Sequence, residues 1–151
     1  MTPFLGFDHV DMRVPSLAAV ERFYDALLPR LGLTKKTYAT VAFGGAAWTD
    51  ATVESYNAVE YAEESASGRP RQFFGVIEET NAQPARGRIA FAVEAGALDT
   101  WQTTLREIGA REIERNDDGY PALFFTDPVG TRLELCARPA AAEPTAPPPS
   151  G

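Results

Sequence analysis

Apolar and polar residues alternate between Asp8 and Val14, with Val10, Met12 and Val14 on one side and His9, Asp11 and Arg13 on the other. A period of two with one apolar face predicts a half-buried strand. The rhythm then lengthens. Leu17, Val20, Tyr24, Leu27 and Leu31 recur at threes and fours, which predicts a helix laying one stripe on the sheet. Ser16 is the expected N-cap, and Glu21 adds early negative charge. Pro29 tightens the last turn, and Gly32 can adopt the left-handed conformation that ends a helix.

The plan returns eighty residues later. Ile89, Phe91 and Val93 form the apolar side of a strand, while Arg88, Ala90 and Ala92 face the other way. Leu98, Trp101, Leu105 and Ile108 then stripe a second helix. Further strands are expected near Thr37–Phe43, Tyr56–Tyr61 and Gln72–Ile77 in the first half, and near Ala110–Glu114, Ala122–Thr126 and Arg132–Ala137 in the second. Trp48-Thr49-Asp50 fits either a strand or a loop. Asp127-Pro128-Val129-Gly130 has turn chemistry, and Asn81–Gly87 joins the two halves. Repetition on this scale predicts an α+β protein of two β-α-β-β-β modules, over residues 1–80 and 81–138. From Pro139 to Gly151 the chain is reduced to small residues, Pro, Glu and Thr, and a disordered tail is expected.

Composition narrows the function classes. The net charge of −7 repels phosphate backbones, so no nucleic-acid partner is expected. No apolar run reaches the roughly 18–20 residues of a membrane span. The N-terminus does not resemble a secretory signal, and Cys136 is the single cysteine, so a cytoplasmic protein without disulfides is expected. There is no Gly-rich phosphate loop, nucleophile elbow or helical zinc motif.

The paired units, with His9 in the first strand, Phe23-Tyr24 through Leu31-Gly32, and Phe124–Leu135 containing Asp127-Pro-Val-Gly130 before Leu133-Glu134-Leu135, resemble a known superfamily. It is the glyoxalase, bleomycin-resistance protein and extradiol dioxygenase group, also called vicinal oxygen chelate. The resemblance covers roughly residues 5–137. It implies that the two modules curl into a cup-shaped, curved mixed sheet, with metal ligands on the first and last strands of each. The matching positions are His9 in the first strand and Glu134 in the last. A third falls in Gln72–Glu79, at Ile77 or Glu78. The fourth, the counterpart of His9, is Arg88. A guanidinium stays protonated and has no lone pair for a metal.

The expected protein is therefore glyoxalase-like and free of a catalytic metal, binding or transforming a small organic ligand in the cup. His9, Glu134 and Arg88 are the candidate catalytic residues; Asp11, Trp48, Phe74 and Phe124 are the candidate ligand contacts. No cofactor is expected. Arg88 and Glu134 are expected to form a bidentate ion pair across the cup, the guanidinium standing in for the metal's charge. The alternative is a metal-dependent lyase or dioxygenase with a reduced ligand set of His9 and Glu134. A third reading is an assembly module whose cup its own side chains fill. Exposed strand edges, and the habit of the superfamily, make a homodimer possible.

Overall fold

The computed structural model describes residues 4–42 and 47–139. The first unit consists of β1 (His9–Val14), α1 (Leu17–Leu27), a single 3-10 turn (Pro29–Leu31), β2 (Lys35–Val41), β3 (Trp48–Asp50), β4 (Ala58–Ala62) and β5 (Phe73–Glu78). The second consists of β6 (Ile89–Glu94), α2 (Leu98–Glu107), β7 (Arg111–Asn116), β8 (Ala122–Thr126) and β9 (Arg132–Arg138). Trp48-Thr49-Asp50 is thus a short edge strand, which gives the first unit one strand more than the second. Phe43 and the expected tail from Ala140 onward lie outside the described residues.

Two mixed sheets result, ordered β1-β5-β4-β2-β3 and β6-β9-β8-β7. Each unit's first strand pairs parallel with its last, and the helix makes the crossover that parallel pairing requires. Alternation sends Met12 and Val14 to the helix side, where they meet Leu17, Val20, Phe23, Tyr24 and Leu27 of α1 in one buried cluster. Ser16 takes the extended N-cap conformation but makes no side-chain cap. Glu78, at the end of β5, accepts the Leu17 N–H at 2.8 Å instead. A carboxylate at a helix N-terminus meets both the free N–H groups and the positive end of the dipole. Gly32, at φ +92°, ends the 3-10 turn.

The core is continuous across the units. Phe74 of β5 and Phe91 of β6 approach to 5.9 Å between ring centroids. Tyr24 of α1 donates to the Asp127 carboxylate at 2.7 Å, and Asp127 also accepts the N–H groups of Val129 and Thr131. Asp127 is completely buried. The turn expected of Asp127–Gly130 is present, and its first residue ties the two units together as well.

Candidate functional site

Each sheet has one face covered by its helix and one helix-free face. On β1 the helix-free face carries His9, Asp11 and Arg13, and the parallel register sets Phe73 and Gly75 of β5 beside the first two. His9 stacks on Phe73, with ring centroids 4.3 Å apart and planes 7° from parallel. Its Nδ1 lies 2.6 Å from Asp8, and its Nε2 lies 3.6 Å from Asp11. A β-carbon on Gly75 would overlap the Asp11 carboxylate and lie 3.7 Å from the Trp48 ring. Glycine here is what lets Asp11 and the edge-strand tryptophan close over the sheet. Glu60 of β4 occupies the next register position. Burial, and then the Asp11 carboxylate, push the Glu60 carboxyl above its usual range.

The second sheet is furnished differently. Arg88 stands just before β6, with its guanidinium 4.5 Å from the centroid of the Phe124 ring. Its Nη1 is 3.7 Å from a carboxylate oxygen of Glu134. That is one loose contact; the two parallel hydrogen bonds expected of a bidentate pair are not formed. Phe124 occupies the Arg88 plane from one side, and Cys136 competes for Glu134 by donating its thiol at 2.8 Å. Burial, together with the hydrogen bond to Glu134, raises the Cys136 thiol to about 11, so it is an inert donor near neutral pH. Arg88, Phe124, Thr126, Arg132 and Glu114 wall an open cavity of about 600 Å³.

Of the candidate site residues, the fold groups Arg88, Glu134 and Phe124 on one sheet and His9, Asp11 and Trp48 on the other. Asp11 and Arg88 both line a cleft between the sheets, without a contact between them. His9 and Glu134 share neither a contact nor a cavity among the described residues. Phe74 does not reach a helix-free face: it is 2% exposed and packs on Tyr24, because alternation along β5 gives that face to Phe73 and Gly75. Its edge borders only a seam cavity between the units. Sequence reasoning missed Asp8, Glu60 and Arg132. Only Asp8, a carboxylate adjoining the lone histidine, left a readable signal.

The family model for the Glyoxalase/Bleomycin resistance protein/Dioxygenase superfamily matches residues 6–135. The chain belongs to this superfamily. No curated protein matches it significantly. Solved structures that share the fold include a glyoxalase/bleomycin resistance protein from Albidiferax ferrireducens, with 22% identity, a TM-score of 0.57, and coverage of 88% of this chain and 98% of that one. A lactoylglutathione lyase from Agrobacterium tumefaciens has 15% identity and a TM-score of 0.53, covering 90% and 96%. A fosfomycin resistance protein from Listeria monocytogenes, solved with Mn(II) and 1S,2S-dihydroxypropylphosphonic acid, has 15% identity and a TM-score of 0.55, covering 89% and 93%.

Within the superfamily frame, strand register identifies the position that sequence left open. His9 corresponds to Arg88, so Asp11 corresponds to Ala90. Ala90 pairs with Glu134, and Asp11 pairs with Gly75. The counterpart of Glu134 is therefore Gly75, and neither Ile77 nor Glu78. Ile77 is buried in a small cluster with Ala39, Val41 and Ala58, and Glu78 caps α1 from the helix side. The four superfamily ligand positions thus present an imidazole, a carboxylate, a guanidinium and a glycine. Two donors do not complete a metal centre there. Among the described residues, no group of three His, Cys, Asp or Glu side chains is placed to hold an ion.

Proposed function

We propose that the protein binds a small organic molecule through a carboxylate, phosphonate or similarly anionic group, held by Arg88 on the helix-free face of the second sheet without a catalytic metal. One observation carries the reading: the Arg88 guanidinium is fixed on Phe124, remains 44% exposed, and has a single loose contact to Glu134. Five N–H donors in a planar fork leave most of their capacity free for an oxyanion. Stacking on the ring orients the fork before the ligand arrives, which reduces the ordering cost of binding. Phe124 adds an apolar surface for the rest of the molecule. If the ligand is transformed as well as bound, Glu134 is the base within reach of whatever Arg88 holds, and His9 would serve only a ligand long enough to cross to the first sheet.

The metal-dependent alternative, a lyase or dioxygenase, takes its support from the fold it shares with proteins such as the manganese-bound fosfomycin resistance protein. Gly75 and Arg88 speak against it. A cytoplasmic setting belongs to the same reading, since a lone Cys136 suits a reducing compartment. So does pairing of two copies.

Thermal-shift measurements with matched small carboxylates, phosphonates and their uncharged amides test the binding mode. Anionic members should raise the melting temperature of the native protein, and Arg88→Met should abolish that rise without lowering the melting temperature of the free protein. A preference for the amides, or an anion response that survives Arg88→Met, contradicts the reading.

A further inference from the structure

β1 and β6 each lie at an edge of their sheet, and no ladder joins them among the described residues. They border a common gap instead. At one end, His9 and Val10 of β1 and Ile89 through Ala92 of β6 line the seam cavity, about 350 Å³ in volume. Toward the other end, Asp11 through Arg13 and the neighbours Arg88 and Ile89 line the cleft, about 330 Å³ in volume. Residue order along β1 runs opposite to that along β6, and Ile89 borders both spaces. The seam cavity and the cleft are therefore successive stretches of one trough between antiparallel edges.

The two ends of the trough differ in chemistry. Three arginines, Arg13, Arg88 and Arg132, line the cleft against the single carboxylate of Asp11, so its charge favours an anion. At the seam end the charges are matched within the protein. Asp8 is paired with His9 at 2.6 Å, and Glu63 with Arg69 at 2.7 Å. A charged group would find no free partner there, whereas Val10, Leu31, Leu33, Phe74 and Phe91 offer an apolar wall. Between the ends, β6 presents only the small, exposed Ala90 and Ala92 on the face that carries Arg88. No bulky side chain of that strand stands between the guanidinium and the seam. From Arg88 to Ala92 the strand covers about 13 Å, at roughly 3.3 Å per residue.

We propose that the ligand is an amphiphilic anion, a carboxylate or phosphonate whose head Arg88 holds and whose apolar tail lies along the trough into the seam cavity. This ligand class rests on the anion-binding role of Arg88 proposed above. It adds the reach and apolarity of what the anion carries: a medium-length chain, with the seam walls burying its far end.

Isothermal titration calorimetry with straight-chain carboxylates from acetate to decanoate, and with octanamide, tests it. From butyrate to octanoate the affinity of the native protein should rise by at least about 30-fold, as four methylenes leave water. Octanamide should bind at least about 10-fold more weakly than octanoate, and Arg88→Met should bring octanoate down to the level of octanamide. Ala92→Phe, at an exposed position of β6, sets a ring in the seam end and should cut the gain from butyrate to octanoate below about 3-fold. Its melting temperature reports whether the fold is kept, and the native series decides the matter even if it is not. Carboxylates that bind through Arg88 with no gain from chain length overturn the tail and leave the anion reading standing. A gain that persists in folded Ala92→Phe overturns the tail as well. Octanamide binding as tightly as octanoate, or no binding across the series, overturns both.

Discussion

The two units follow one backbone plan and use their faces unequally. On the helix side, α1 buries Leu17, Val20, Phe23, Tyr24 and Leu27, while α2 buries only Leu98 and Leu105. The first unit therefore supplies most of the common core, and the second leans on it through Tyr24 and Asp127. On the helix-free side the asymmetry is chemical. The first sheet presents His9, Asp11, Glu60 and Trp48 around a glycine, and the second presents Arg88 on Phe124 beside Glu134. The repeat has kept the parallel register of its first and last strands, which packing enforces, and changed the side chains that packing does not constrain.

The dependence of the second unit on the first breaks most visibly at Asp127. Asp127→Ala leaves the Tyr24 hydroxyl and the N–H groups of Val129 and Thr131 without their acceptor, and should cost roughly 3 kcal/mol or more in urea unfolding. Tyr24→Phe removes one of those three bonds and should cost about 1–2 kcal/mol. If neither variant shifts the unfolding midpoint, the units are not coupled through this contact.

A smaller effect sharpens the contrast between Gly75 and its counterpart Glu134. Gly75→Ala forces the Asp11 carboxylate aside and should destabilise the protein by about 1–2 kcal/mol. In an Asp11→Ala background most of that penalty should vanish. An equal penalty in both backgrounds would show that Asp11 is not what glycine accommodates.

The least effect is expected from a charge network of the first unit that joins α1 to β2. Lys36 of β2 lies 2.6 Å from Glu21 and 2.7 Å from Asp25, and Tyr61 donates to Asp25. Burial alone would lower the Lys36 ammonium, but hydrogen bonds to Asp25 and Glu21 prevail and raise it from 10.5 to about 12. A raised folded-state value means the stabilisation is complete below pH 10.5 and lost as pH rises through about 12. Partial exposure discounts the loss to about 1 kcal/mol. Burial and Asp25 also raise the Tyr61 hydroxyl, which adds alkaline loss of the same sign. The difference in unfolding free energy between pH 9 and pH 12 should therefore shrink, without disappearing, in Lys36→Met. An unchanged difference would remove Lys36 from the account.

Much of the fold was legible because alternation and helical stripes fall on separate faces. Met12 and Val14 gave the parity of β1, and Leu133 and Leu135 gave that of β9, so His9 and Glu134 were assigned to the correct faces. β5 resisted. Phe74, Gly75, Val76 and Ile77 are all buried, since this strand lies between β1 and β4, and a uniformly apolar run carries no parity. That is why the sequence admits Ile77 or Glu78 where Gly75 stands, and why it offers Phe74 as a ligand contact. Ser16 is the N-cap residue of α1, as its sequence indicates, but the acceptor for the Leu17 N–H comes from Glu78, which is remote in sequence and leaves no local signal. The Arg88–Glu134 approach was foreseen, but its loose geometry was not, because the competing contacts of Phe124 and Cys136 arise only when β8 and β9 pair.

Elemental analysis of protein purified without chelators tests most directly whether Arg88 has replaced a metal. The account expects no divalent ion near one equivalent per chain in the native protein, and none after dialysis against manganese, nickel or zinc. One tightly held equivalent, lost in both His9→Ala and Glu134→Gln, would contradict it.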